Sequence, residues 1–405
     1  MSVRRTQTTM GTEARLRRAE EHIFSTGLPD SGSRLGLANM RYGLAKIHWI
    51  QERLGLPANA TFVSAPDLTV TRNANRWRSG FGYGGSLTWG NGSLDLMILD
   101  LKPNACGMIV GGLEYLPYSR DLLDRVHALT HESVEIDGVP IRWDFGKSNH
   151  FIDLFRVEAL ADMHLPPYLF MMHFAGAELR GETPHGPGLY WDISPALQAR
   201  MKVFDTPFGP LRVLTEDDAR QYFDFYRYVD SFVQRRRLYA ADHLFDRYSL
   251  INNDNHQGLT HPNQIVLGCY RFSDADHIYP IGLRPDLPAY LMRGRPNLSP
   301  ETIENLGFEK RAHRLGVYEL LTSANLLPHG GGYVFPHILD VTAVHEINGE
   351  RYFEVDLATG RGQQIMAGVR DLPYEYRGRK VVLRTLELGM AELVARLTPV
   401  YVLKV

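Results

Sequence analysis

Cysteine is almost absent from this chain of 405 residues: only Cys106 and Cys269 occur, far apart and without Cys-x-x-Cys spacing. That excludes a disulfide-stapled scaffold and makes a reducing compartment the simpler setting. Charge of one sign is not in excess either, with a formal net charge of −2 and a pI near 6.8. No global basic field marks a nucleic-acid binder, so any site for a polyanion must be a local patch. No run approaches the roughly 18 apolar residues of a membrane span. The N-terminal stretch "MSVRRTQTTMGTEARLRRAEEH" lacks the apolar core of a secretory signal. A cytoplasmic protein without a membrane partner is expected. Internal repeats, low-complexity tracts and linker-like boundaries are also missing.

What is present is an ordinary globular composition, 44% hydrophobic and 22% charged, enough for one large or two medium domains. Helical spacing covers 13–26 and 35–54, followed by the glycine-rich "NRWRSGFGYGGSLTWGNGS". The run "LDLMILDL" predicts a short buried strand ending before Pro103, and a helix is expected over about 115–131. A long helical pattern starts at Thr215 with the acidic "TEDD" and runs to about Tyr248. Strand-like segments recur at 264–272, 288–293, 337–347 and 351–357, the last two flanking the turn pair Asn348-Gly349. A closing helix is expected near 386–397. Helices and strands mix without steady βαβ alternation, which predicts an α+β fold: one large domain with a mixed β-sheet core and surrounding helices.

The residues able to do chemistry fall at the ends of these segments. They are Cys106 in "PNACGM", His150 in "KSNHFIDLF", His173 in "LFMMHFAGAELRG", His256 in "NNDNHQGLTHPN" and His329 in "LPHGGGY". Side chains at strand ends and in the following loops converge readily on one cavity. A thiolate with several neutral imidazoles suits a transition metal such as Zn²⁺, Mn²⁺, Fe²⁺ or Co²⁺. Three glycines directly after His329 imply positive φ or close approach of a group to the main chain, and a phosphate is one such group.

The order of these motifs, from Cys-Gly-Met through Ser-Asn-His-Phe-Ile-Asp, the apolar run ending in His173, Asn-His, His-Gly-Gly-Gly and a terminal Val-Leu-Lys, resembles the RtcB family of RNA-splicing ligases. The similarity covers roughly residues 80–405. The resemblance implies an RtcB-like catalytic domain over 76–405, with 1–75 an unassigned N-terminal helical segment packed on it. It implies joining of RNA 2′,3′-cyclic phosphate or 3′-phosphate ends to 5′-hydroxyl ends with GTP and Mn²⁺, with an activating protein as a further partner. Under it Cys106, His150, His173 and His256 are metal ligands, and His329 takes GMP covalently. Asn149, Asp153, Lys404 and the backbone of Gly330 and Gly331 then hold the nucleotide.

Departures from the family pattern are specific. Pro103 stands where the family has an aspartate ligand, leaving Asp100 or Asp95 as substitutes. Tyr333 replaces an arginine after the glycines, and "IGLRPDLPAY" replaces the nucleotide-contacting Pro-Gly-Ser-Met segment, keeping only Tyr290. Zn²⁺ is as well suited to thiolate and imidazole as Mn²⁺. The arginines of "VQRRR" on the long helix are candidates for RNA phosphate contacts. A metal-dependent phosphoesterase or nucleotidyl-transfer enzyme that lacks sealing, and a non-catalytic RNA-binding module, are the alternatives.

Overall fold

A computed structural model describes residues 11–405 apart from 275 and 348. Its centre is a twelve-stranded mixed sheet with helices around it, an α+β arrangement. From one edge the strands run Ile23–Phe24, Thr61–Thr69, Tyr83–Thr88, Gln264–Leu267, Asn255–His261, Cys106–Leu113, Tyr168–Phe174, Phe151–Ala159, Ala391–Leu403, Ala289–Gly294 and Ile278–Ile281. The short strand Ser249–Asn252 pairs with Cys106–Leu113 off this path. The first pair is parallel and the others antiparallel. Strands such as Thr61–Thr69 and Cys106–Leu113 are buried throughout, so they read as continuous runs rather than alternating ones.

The helix Ser31–Arg53 starts where the Asp30 carboxylate accepts from the Ser33 amide at 3.2 Å, which satisfies one of the orphan N–H groups of a first turn. A Cβ at Gly32 would overlap the Tyr333 carbonyl oxygen, so glycine lets the helix dock directly on the loop after His329. The 29-residue helix Glu216–Leu244 begins with three acidic residues and lies against the strands that carry the site. Among the described residues no helix is long and apolar enough to cross a membrane.

Several expectations need correction. The first helix stops at Glu21 instead of 26, because the chain turns at His22 to lay Ile23–Phe24 on the sheet edge. The closing helix is not 386–397 but Lys380–Glu387, and Ala391–Leu403 is a strand held between Phe151–Ala159 and Ala289–Gly294. Helix-forming Ala, Glu and Leu there are overruled by pairing on both sides. The segment Leu96–Ile98 is a strand, but Leu99–Leu101 tightens into a 3₁₀ turn. Asn348 of the expected hairpin turn lies outside the described residues, while Ile338–Ile347 and Glu350–Leu357 do pair antiparallel.

Candidate functional site

Sheet order explains how the candidate residues meet. The strands Asn255–His261, Cys106–Leu113, Tyr168–Phe174 and Phe151–Ala159 are consecutive neighbours. His256, Cys106 and His173 lie at or beside their ends, and His150 directly precedes the fourth. Four sequence-distant segments thus deliver one thiol and three imidazoles to one end of the sheet.

Cys106 Sγ lies 3.0 Å from His173 Nε2, which lies 3.2 Å from His256 Nε2. The three donor atoms are all within 4.8 Å of one another and all three residues are buried. His173 is oriented through Nδ1, 2.9 Å from the Asn149 carbonyl oxygen. His150 is oriented through Nδ1, 3.0 Å from Asp144 Oδ2, and stands beside this group of three without belonging to it. Burial pushes the Cys106 thiol up, but the charge of His173 and hydrogen bonds from His150, His173 and His256 outweigh it and hold the pKa well below the usual thiol range. Burial drives His256 down to about 3, keeping it neutral, the form that binds a metal. Burial likewise acts against protonated His150, but hydrogen bonds to Asp144 and Cys106 carry it to about 9.

These donors fit one transition-metal ion with an open position: a thiolate and imidazoles, with a carbonyl and a carboxylate fixing the outer nitrogens of two rings. They do not include a carboxylate ligand. Asp95 is ion-paired to Arg220 at the surface, and Asp100 is turned away to Arg212, whose Nη1 lies 3.3 Å from it. Neither substitutes for the aspartate that Pro103 displaces. Lys102 and Ala105 both take positive φ around this proline, so the chain bends before Cys106 instead of extending toward it.

His329 follows the strand Leu326–Pro328, and its ring centroid is 4.3 Å from that of His256. Its Nδ1 lies 2.9 Å from Asp67 Oδ2, which also accepts from the His329 amide at 3.2 Å. With Nδ1 donating to a carboxylate, Nε2 is the nitrogen that keeps its lone pair. Asp67 was not foreseen from the sequence. The signal was a lone carboxylate within the apolar run "FVSAPDLTV". Pairing with Tyr83–Thr88 is interrupted between Ser64 and Thr69, where Pro66 sits, and that irregularity frees Asp67 to face the histidine.

A cavity of about 130 Å³ opens onto His173 and His329. Asn149, Asp153, Lys404, Gly330 and Gly331 all line it, together with Tyr83, Tyr333 and Tyr376. Asp153 is buried with Oδ1 unpartnered among the described residues, and burial lifts its pKa to about 8 against the opposing charge of Lys404. Lys404 Nζ donates to the Ser148 carbonyl at 2.8 Å. The glycines have a further structural reason: a Cβ at Gly331 would overlap the Arg377 carbonyl oxygen, and Gly332 has φ of 67°. Arg377 runs beside this loop and is anchored on Asp30. Tyr290 is buried on its strand, and Arg284 pairs with Asp286 at the surface. Cys269 is buried elsewhere in the core, its thiol pushed up by burial.

The arginine run is corrected by the structure. Arg235 pairs with Asp137, but Arg236 is fully buried between Asp144 and Glu178, both at 3.1 Å. Arg237 is buried too, its Nε donating to Asn253 Oδ1 at 2.7 Å, with Nη1 beside Gly107. These two side chains serve the interior around the cluster, not an RNA surface.

No family model matches this chain, and no curated protein matches it.

Proposed function

We propose that this chain is an RtcB-type RNA ligase, joining a 2′,3′-cyclic phosphate or 3′-phosphate end to a 5′-hydroxyl end through a guanylylated His329. The observation that carries the proposal is the Asp67–His329 pair beside the Cys106–His173–His256 cluster, with His329 and His173 both lining one cavity. An imidazole with one nitrogen held by a buried carboxylate and the other free is built as a nucleophile.

In this reading Nε2 of His329 attacks the α-phosphorus of GTP. A P–N bond forms, the bond to the bridging oxygen breaks, and pyrophosphate leaves. An oxygen of the RNA 3′-phosphate then takes the GMP, releasing the imidazole. Finally the 5′-hydroxyl attacks the activated 3′-phosphate, loses its proton and expels GMP. A cyclic end first adds water to give the 3′-phosphate. Cys106, His173 and His256, with His150 alongside, hold the divalent ion that, when bound, offsets phosphoryl charge. Lys404, Asn149 and the backbone of Gly330 and Gly331 face the nucleotide, and Asp153 accepts or donates according to its protonation.

Incubation with Mn²⁺ and α-³²P-GTP, beside labelled ATP, tests this in denaturing gels. Label from GTP that disappears in His329→Ala is the expected result. Absence of label in a metal-loaded chain overturns guanylylation.

One observation favours a second reading. With Asp95 and Asp100 both engaged elsewhere, the described residues offer one group of donors, Cys106, His173 and His256, and a single-ion phosphoesterase that opens 2′,3′-cyclic phosphate without GTP fits that count. GTP-independent hydrolysis of such ends distinguishes it.

A further inference from the structure

A second cleft, of about 460 Å³, lies away from His329. It is lined by Lys46 of the helix Ser31–Arg53, Arg351 of the strand Glu350–Leu357, Arg212 of the strand Gly209–Thr215, Trp191, and Arg78 at an exposed rim. Gly32 of the same helix touches the loop after His329, and Lys46 follows fourteen residues later. At about 1.5 Å per helical residue the two sites are roughly 20 Å apart.

The charges of this cleft do not balance. Lys46 and Arg351 are both buried, and neither has a carboxylate within ion-pair distance among the described residues. Lys46 makes one hydrogen bond, to the Pro210 carbonyl at 3.2 Å, of the three an ammonium can donate. Arg351 lies 4.7 Å over the Tyr42 ring and donates Nη2 to the Arg78 carbonyl, while its Nε and Nη1 have no hydrogen-bond partner among the described residues. The Trp191 indole N–H is likewise unpartnered. Arg212 lies 3.9 Å over the Trp191 ring and is ion-paired to Asp100. Asp100 also favours the Lys46 cation without pairing it; of the other carboxylates, Glu350 accepts from Tyr352, and half-buried Glu346 lies near enough to favour both cations without pairing either. Burial, with repulsion from Arg351, pushes Lys46 down to about 7, and burial pushes Arg351 down to about 10. Buried unpaired cations are costly unless an anion completes them.

We propose that this cleft is a second phosphate-binding site, holding the phosphate of a nucleotide or of an RNA strand between Lys46, Arg351 and Arg212 beside Trp191. Arginine forks match phosphate oxygens, and a neighbouring indole and stacked guanidinium offer a flat face to a base. The proposal stands apart from the chemistry assigned to His329.

Calorimetric titrations at constant ionic strength test it, using the full chain with inorganic phosphate, GMP and an oligoribonucleotide lacking a terminal phosphate. His329→Ala serves as background, so that the first cavity is separated from the second. Phosphate is expected to bind that background, and Lys46→Gln or Arg351→Gln to weaken it about tenfold or more, the loss expected for a hydrogen bond to a charged group. Lys46→Arg should retain binding. Arg78→Glu reverses charge at the exposed rim without disturbing the interior, and should weaken binding even if the buried variants fail to fold. Parallel loss of oligoribonucleotide affinity identifies a strand as the ligand, and loss of GMP alone identifies a free nucleotide. Phosphate affinity unchanged in Arg78→Glu and in whichever buried variants fold, or no saturable phosphate binding in the His329→Ala chain, overturns the proposal.

Discussion

Asp67 Oδ2 lies 2.9 Å from His329 Nδ1, a contact that spans 262 positions of sequence and lies wholly in the interior. It fixes which nitrogen of the ring bears the proton. Replacing Asp67 with asparagine keeps the shape but permits the opposite tautomer. Guanylylation of Asp67→Asn is therefore expected to fall by about 10² to 10⁴, with bound metal unchanged by elemental analysis. Equal labelling of variant and wild type would remove Asp67 from the mechanism.

The metal count is the next test. Because Asp95 and Asp100 are held by Arg220 and Arg212, one ion per chain is expected. Cys106→Ala and His173→Ala should each lose it, and His150→Ala should weaken it by about 10- to 100-fold, as loss of an orienting neighbour does. Two ions per chain would show that a carboxylate rearranges on binding.

Asp153 makes stability depend on pH. Its folded pKa near 8 exceeds the ordinary 3.8, so between those values the folded chain binds more protons than the unfolded one. Its contribution is complete below about pH 4 and is lost as pH rises through 8. Asp153→Asn should flatten the decline in Tm between pH 6 and 9, as read by calorimetry. An identical slope in the variant would mean that the carboxylate is charged in the fold.

Arg235 and Arg236 are adjacent but should behave oppositely. Arg236→Ala strands Asp144 and Glu178 in the interior, a loss of about 3–5 kcal/mol. It should also disturb His150, which shares Asp144. Arg235→Ala breaks a partly exposed pair and should cost at most about 1 kcal/mol. Chemical denaturation of both variants checks the contrast, and equal losses would refute the burial argument.

The sequence made Cys106, His150, His173 and His256 legible as candidates because they fall at or beside apolar or strand-like runs, His150 and His256 in Asn-His pairs. Asp67 carried none: its role depends on an irregularity in strand pairing. The long helix Glu216–Leu244 was visible from its acidic start and periodicity, yet which of its arginines face inward depends on Asp144 and Glu178, far away in the chain. Ala391–Leu403 was misread because its residues favour a helix locally, whereas both neighbouring strands are contributed by other segments.

The neighbouring strands that gather Cys106, His150, His173 and His256 also set an order of events during synthesis. A nascent chain that has emerged past His173 has only part of the donor set, and the cluster closes when the strand Asn255–His261 docks beside Cys106–Leu113. His329 arrives later still. A metal taken up by that cluster would therefore report the docking of Asn255–His261, ahead of the strand Ala391–Leu403 that completes the central sheet beside Phe151–Ala159.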